Sequence, residues 1–226
     1  MSFAATRVGQ AVYGPRVKAA KPESARRDYG ELASKIFILT LFSAMATSIA
    51  QDFARTGHVT GLLLVVSEML VVILTVMRRS AATVDRSMQA RVLTTVSMLG
   101  PSLLKPATVI ALLPQMVTVG ISAVGLGVVI AGKVTLGRSF GLMPANRGIV
   151  SSGVYRLVRH PIYLGYLITH AAYLAAMPSS WNVVALLIAD AALLARAVCE
   201  EKTLARDPRY RDYQQVVRWR VCPGLF

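Results

Sequence analysis

The sequence predicts an all-α membrane protein: a polytopic bundle of five or six spanning helices, with a tight C-terminal helical hairpin and a cytoplasmic cap. Composition is the first reason, since 54% of the 226 residues are hydrophobic and only 16% are charged. The second is that the hydrophobic residues form separate runs, several near the roughly 20 residues that a membrane helix needs. The third is a net charge of +14 whose cations lie between the runs, as in membrane loops. The cations form no single stripe, so this basicity fits nucleic-acid binding less well.

Six apolar runs divide the chain. They cover 36–50, Val59–Met77, 92–104, 107–132, 162–177 and 181–198. The first, third and fifth are short for a span, which leaves five or six spans open. Pro114 is predicted to kink the fourth helix, and the Pro-Ser-Ser of 178–180 to form a tight turn before the sixth. Three regions follow: a basic cytoplasmic N-terminal arm at 1–34, transmembrane helices at 35–132, and a connector, hairpin and tail at 133–226.

The distribution of cations predicts the orientation of the chain. Twenty-three of the 25 Lys and Arg residues fall in 1–35, 78–91, 133–159 and 196–226, and the other two are Arg55 and Lys105. Cytoplasmic loops carry an excess of Lys and Arg. We therefore expect an integral membrane protein with both termini in the cytoplasm. The aromatic and basic tail after residue 201 is predicted to lie at the level of the lipid headgroups.

The fifth run opens with a polar motif, Arg-His-Pro-Ile-Tyr-Leu-Gly at 159–165. Proline favours the first turn of a helix, so His160 is expected near the N-cap. The backbone N–H groups that follow can receive an anionic ligand group such as a carboxylate. Three phenol rings and an imidazole then recur at helical spacing, at Tyr163, Tyr166, His170 and Tyr173. They form either a binding face or an ordinary polar packing stripe between membrane helices.

Charged residues also mark the sixth run. Arg196 and Glu200 are four residues apart, so they share a helix face and can pair, and Glu201 follows directly. Taken alone, this arrangement fits a surface ion pair at the membrane boundary as well as a site. Asp190 and Glu68 lie deeper in the apolar runs, where charged groups are costly and are not expected to face lipid. Hydrogen bonding within the bundle, protonation and a polar cavity all remain open for these two.

Several kinds of site are not supported by the motifs. The glycines of the connector do not form a dinucleotide-binding pattern, and no phosphate-binding loop occurs. His160 and His170 are ten residues apart without a carboxylate at ligand spacing, so no metal is expected. Neither a nucleic-acid partner nor a particular oligomeric state is predicted.

The C-terminal part of the chain resembles the isoprenylcysteine carboxyl methyltransferase family of integral membrane enzymes, which also look like phospholipid methyltransferases. The segments that carry the resemblance are Leu-Gly-Arg-Ser-Phe-Gly at 136–141, 153–165, Glu-Glu-Lys-Thr-Leu at 200–204, Tyr-Arg-Asp-Tyr at 210–213, and Pro-Gly at 223–224. This covers roughly residues 130–226, so 133–226 is expected to be the catalytic region.

The resemblance implies S-adenosylmethionine as the methyl donor, bound at the cytoplasmic side. The family's donor contacts match Arg147, Gly148, Ile149, Val150, Tyr155, His160, Pro161, Ile162 and Tyr163 in this sequence, and Glu201 is expected to join them. Arg196 and Glu200 match the arginine and glutamate at the acceptor side, and are the expected catalytic pair. Family members can have histidine where this sequence has Arg147.

The resemblance leaves the acceptor open. A lipidic or apolar acceptor is expected, with an isoprenylcysteine-type carboxylate as one candidate, and a membrane lipid or a lipidated molecule as the partner. Phospholipid N-methylation and small-thiol S-methylation are the alternatives within the same superfamily. Outside it, an NADPH-dependent sterol-type membrane reductase resembles the extreme C-terminus, and a transporter would suit Glu68 and Asp190.

Overall fold

The computed structural model of this chain describes residues 59–105 and 109–226, together with isolated positions between 36 and 54 that are all helical. The predicted arm at 1–34 lies outside the described residues. In the described part the chain is mostly helical. Its six α-helices are α1 (Val59–Met77), α2 (Met88–Leu99), α3 (Gln115–Leu136), α4 (Pro161–Ala176), α5 (Ser180–Leu204) and α6 (Pro208–Val216).

The helix boundaries follow the apolar runs with two corrections. The third run becomes α2 followed by a 3₁₀ turn, Gly100–Leu103, that contains Pro101. Pro114 does not kink a helix as predicted, because α3 begins only after it, at Gln115. Proline lacks an N–H and is tolerated where a helix starts, since the first N–H groups have no intrahelical acceptor. The predicted boundary between 132 and 133 falls inside α3.

The turn between α4 and α5 forms where the sequence predicted it. His160 is the N-cap of α4, and Pro161 is its first residue. The chain leaves α4 at Met177, and Ser179 caps α5 by accepting a hydrogen bond from the backbone N–H of Asn182. Serine is a favoured N-cap because its hydroxyl satisfies an N–H of the first turn.

The two helices of this hairpin nevertheless pack mainly against other helices. α4 lies along α3, and α5 lies along α2, whereas α4 and α5 make few contacts with each other. The tight approach of α3 and α4 depends on glycine: a Cβ at Gly165 would lie 2.6 Å from the carbonyl oxygen of Gly125. The tight hairpin that the sequence predicts is therefore tight only at its turn, and the helices leave space between them.

A buried lysine links α3 to α1. Lys133 is fully buried, and its Nζ donates to the hydroxyl of Ser67 at 2.7 Å and to the Ser67 carbonyl at 3.0 Å. The sequence assigned this lysine to a loop. Its place at the end of α3 leaves it inside the bundle, where hydrogen bonds offset part of the cost of burying its charge.

Two of the described helical segments are long and apolar enough to cross a membrane, Gln115–Ser139 and Ser180–Leu204. They agree with a membrane protein.

One end of the bundle is covered by the connector, 137–160, and the tail, 205–226, which together are called the cap below. Two short strands, β1 (Thr83–Val84) and β2 (Ala145–Asn146), pair antiparallel with Thr83 opposite Asn146 and join the connector to the segment after α1. The backbone N–H groups of Arg159 and His160 donate to the carbonyls of Trp219 and Arg220 at 2.9 and 2.7 Å. The tail thus forms part of the wall around the start of α4.

Candidate functional site

A cavity of about 490 Å³ runs between the cap and the helices. Its walls include residues of α4 from Ile162 to Tyr173 and of α5 from Leu193 to Leu204. At a rise of 1.5 Å per residue, each of these stretches is about 16 Å long. The cavity therefore extends from the cap well into the helical bundle.

The cap end of the cavity is polar and rich in tyrosine. Gly148, Tyr155, Glu200, Tyr210 and Tyr213 line it, as do other residues of the connector. The hydroxyl of Tyr213 donates to the carbonyl of Tyr155 at 2.6 Å, and the rings of Tyr210 and Tyr213 meet edge to face. The Tyr210 hydroxyl is buried and has no hydrogen-bond partner in the described part of the chain. Buried polar groups are usually paired, so this enclosed hydroxyl is an exception.

These three tyrosines are held as neutral phenols. Burial raises the pKa of Tyr213 to about 12, although the nearby Arg159 guanidinium works in the opposite direction. Burial also raises the pKa values of Tyr155 and Tyr210 well above the ordinary range, and the negative charges of Glu200 and Glu201 add to the effect. At neutral pH the cap end thus offers hydroxyl groups and aromatic faces with no phenolate charge.

Arg196 and Glu200 line the cavity where the cap meets the helices. The hydroxyl of Tyr163 donates to Glu200 Oε2 at 2.7 Å, and the Arg196 guanidinium lies 5.3 Å from the centre of the Tyr163 ring. Arg196 Nη2 donates to the carbonyl of Leu142, while its buried Nε has no hydrogen-bond partner among the described residues. The direct pair that the spacing allowed is thus replaced by a contact through Tyr163, since no Arg196–Glu200 ion pair occurs in the described part.

Glu201 lies in a different environment from its neighbour. Its carboxylate accepts from Arg159 Nε at 2.6 Å and from Arg220 Nε at 2.8 Å, and His160 Nε2 lies 3.3 Å away. It is buried and does not line the cavity. Arg159 also donates to the carbonyls of Val217 and Arg218. Glu201 therefore joins α5 to the start of α4 and to the tail.

Most of the residues that the resemblance selected meet at this cavity. Those that line it are Arg147, Gly148, Ile149, Val150, Tyr155, His160, Ile162, Tyr163, Arg196 and Glu200. Pro161 and Glu201 lie behind the wall rather than on it. Their predicted roles in donor binding and catalysis stay predictions.

The polar face of α4 is a cavity face. Tyr163, Tyr166, His170 and Tyr173 all line the space, so the binding-face interpretation of their spacing agrees with the structure. Tyr210 and Tyr213 were not expected there, because the tail was predicted to lie at the headgroup level. Both are buried against Tyr155 instead. The sequence signal that could have placed them at the cavity was their position in the Tyr-Arg-Asp-Tyr segment, which is part of the family resemblance.

A second polar group lies farther from the cap. His170 Nδ1 and Asp190 Oδ1 are 2.6 Å apart, and the ring of His170 stacks on that of Tyr166. The sequence left open how Asp190 is accommodated in an apolar run. The structure shows its carboxyl group hydrogen-bonded within the bundle. The side chain of Glu68 lies outside the described part.

The comparison with known families agrees with this geometry. Residues 107–207 match the family model described as phospholipid methyltransferase. No curated protein matches the chain. The match confirms the resemblance, and it begins earlier in the chain than the motifs did. The segment 107–207, which supplies most of the cavity wall, is therefore a domain of the phospholipid methyltransferase family, the membrane methyltransferases that resemble isoprenylcysteine carboxyl methyltransferase.

Proposed function

We propose that this chain is an integral membrane methyltransferase that transfers a methyl group from S-adenosylmethionine to a lipidic acceptor, with the cap in the cytoplasm. The observation that carries the proposal is the continuity of the cavity. A polar, tyrosine-lined end at the cap opens into an apolar space whose walls include α3 and α5, the two described helices long and apolar enough to span a membrane. A water-soluble donor and a membrane-soluble acceptor would reach such a cavity from different sides.

The cap end fits the donor in its chemistry. The whole cavity, about 490 Å³, falls in the range of small-molecule sites, about 300–1,000 Å³. Tyr210 lines this end, and its enclosed hydroxyl has no described partner, so a small shift of its neighbours would let it bond to a polar edge of the donor. The faces of Tyr155 and Tyr213 suit a cationic sulfonium, because aromatic faces attract cations. The positive end of α4 suits the donor's carboxylate.

The reaction asks little of acid–base groups. When bound, S-adenosylmethionine supplies a methyl carbon whose bond to sulfur breaks as the bond to the acceptor forms, and a neutral thioether leaves. A carboxylate acceptor has no proton to lose. The work left to the protein is to orient the acceptor and to exclude water. Cavity walls built from Ile162, Leu193 and Leu204 suit the second task.

Arg196 and Glu200 are proposed to act at the acceptor side. Arg196 lines the cavity, so its guanidinium can donate to an anionic acceptor group. Glu200 is held by the Tyr163 hydroxyl and lines the space beside it. It can fix the donor's ammonium or ribose by accepting hydrogen bonds.

Phospholipid N-methylation is the second candidate, and the family match favours it. An ammonium acceptor must lose a proton before its nitrogen can attack the methyl carbon. Glu200 is the cavity carboxylate in position to take that proton. The same family match favours methyl transfer over the reductase and transporter alternatives.

Calorimetry of S-adenosylmethionine binding to the purified protein, in detergent and in lipid nanodiscs, tests the proposal. We expect saturable binding that His160→Ala and Tyr210→Phe weaken, while Leu187→Ala, on the exposed face of α5, leaves it unchanged. No binding by the folded wild-type protein in either medium would reject the donor. Transfer of labelled methyl to a carboxylate lipid, phosphatidylethanolamine and an alkyl thiol then identifies the acceptor group.

A further inference from the structure

The His170–Asp190 pair is a polar cluster in the apolar part of the cavity that the proposed function does not use. His170 is buried except where it lines the cavity. Counting seven residues from Tyr163 along α4, it lies about 10 Å deeper than the proposed transfer site. It is too far along the helix to act on the methylated atom.

One nitrogen of this histidine is uncommitted. Nδ1 is 2.6 Å from Asp190 Oδ1, and Nε2 has no hydrogen-bond partner in the described part of the chain. Unlike the enclosed unpaired atoms of the described residues, Nε2 keeps some accessible surface. A role limited to joining α4 and α5 would need only Nδ1. The exposed edge of the ring therefore meets whatever occupies the cavity.

The pairing sets the chemistry that Nε2 offers. With Asp190 ionised and the ring neutral, the proton lies on Nδ1 and is donated to Oδ1, because a carboxylate can only accept. Nε2 then presents a lone pair and accepts a hydrogen bond. Its complement is a hydrogen-bond donor. A hydroxyl group suits this depth better than an ammonium, because burying a hydroxyl costs far less free energy than burying a charge.

We propose that His170, oriented by Asp190, binds a hydroxyl group in the chain of the lipid acceptor, about 10 Å from the group that is methylated. The inference deepens the proposed function, on which it rests for calling the lipid an acceptor. The lipid contact itself does not depend on the methyl donor. Acceptors with a hydroxyl at this depth are selected over acceptors with a plain alkyl chain, because only the hydroxyl satisfies Nε2.

Matched fatty acids test the contact without any methyl donor. Dissociation constants of 10-hydroxystearic, 2-hydroxystearic and stearic acid are measured by calorimetry in one detergent. The wild-type protein is expected to bind the 10-hydroxy acid about two- to tenfold more tightly than stearic acid, the worth of one net hydrogen bond. The 2-hydroxy acid, whose hydroxyl lies beside the carboxylate, should show no such preference.

Variants assign the preference to the pair. His170→Phe keeps a ring of similar size and removes Nε2, so the preference should vanish. Asp190→Asn removes the negative charge that orients the imidazole and should reduce it, and this variant carries the test if His170→Phe does not fold. Thr169→Val is the control. It removes the neighbouring cavity hydroxyl, which donates to the carbonyl of Gly165, and should keep the preference.

The outcomes separate this inference from the proposed function. A wild-type protein without the preference, or a folded His170→Phe or Asp190→Asn variant that keeps it in full, overturns the inference even if S-adenosylmethionine binds. A preference that His170→Phe loses and Asp190→Asn reduces supports the lipid contact even if S-adenosylmethionine fails to bind, which would reject only the methyl donor.

Discussion

Two adjacent glutamates show how much the position of a single residue decides. Glu200 lines the cavity and accepts from Tyr163, whereas Glu201 is turned into a cluster of Arg159, Arg220 and His160. Consecutive helix residues point about 100° apart, so the two carboxylates cannot share one environment. Glu200 therefore belongs to the proposed reaction and Glu201 to the structure that holds the cap.

Glutamine at each position should separate these roles. Glu201→Gln leaves the buried cations with a weaker acceptor and should lower the free energy of unfolding by about 1–3 kcal/mol. Glu200→Gln should leave stability within about 0.5 kcal/mol but lower methyl transfer at least tenfold. Thermal unfolding and transfer rates measured on both proteins check this. Equal loss of stability in the two variants would contradict the distinction.

We predict that protonation of Asp207 at low pH loosens the tail. It caps α6 by accepting from the backbone N–H of Arg209, and the Arg209 side chain lowers the pKa of this carboxyl from 3.8 to about 2. Because the pKa of Asp207 is lower in the folded than in the unfolded protein, its carboxylate stabilises the folded state above about pH 4. This stabilisation is lost as the pH falls towards about 2. Trp219 fluorescence in a Trp181→Phe background should report this loosening. An Asp207→Asn protein should lack this part of the transition, and an identical curve would contradict the role.

At the scale of helices, the crossing of α3 and α4 positions the cavity wall. Gly125 and Gly165 allow the two backbones to approach until no Cβ fits between them. Small residues at such crossings are typical of membrane helices, because close packing replaces the hydrophobic effect as the source of association. This contact fixes the orientation of α4, so that the face with Tyr163 and His170 forms part of the cavity wall.

A methyl group at the crossing should be costly. Gly165→Ala places a Cβ 2.6 Å from the Gly125 carbonyl oxygen and from Val129, so we expect a loss of about 1–3 kcal/mol through overpacking. Gly127→Ala on α3 is the matched control, since a Cβ there meets nothing within 4 Å. The control should be neutral or slightly stabilising. Equal unfolding midpoints for the two variants would show that the close approach does not matter.

At the scale of the whole molecule, divergence of α4 and α5 creates the space that the function needs. Because α4 packs on α3 and α5 packs on α2, the hairpin opens below its turn and the cap closes the far end. Tyr163–Glu200 and His170–Asp190 are the hydrogen bonds that bridge the opening among the described residues. A cavity with one polar and one apolar end is the result.

Filling the apolar end should affect the acceptor alone. Leu193→Phe adds volume to a buried cavity residue of α5. We expect KM for a lipid acceptor to rise at least threefold, while the Kd of S-adenosylmethionine changes by less than about twofold. Leu187→Phe, on the exposed face of the same helix, should change neither. Parallel loss of donor and acceptor affinity in Leu193→Phe would argue against separate ends.

The sequence by itself determined the helical fold class, the start of α4 at Pro161, the polar face of that helix and the family of its C-terminal half. These features depend on local chemistry: a proline without an N–H, a period of 3.6 residues, and motifs that stay together in the chain. Pattern alone also placed Arg196 and Glu200 on one face of α5.

Only the tertiary structure decided which partners these faces meet. Periodicity shows that residues share a face but not which helix lies opposite, so the sequence could not pair His170 with Asp190 or separate Glu200 from Glu201. It could not place Tyr210 at the cap end of the cavity, because an aromatic and basic tail is equally typical of the headgroup region. The cavity exists because α4 and α5, although adjacent in the chain, pack mainly against α3 and α2 rather than against each other.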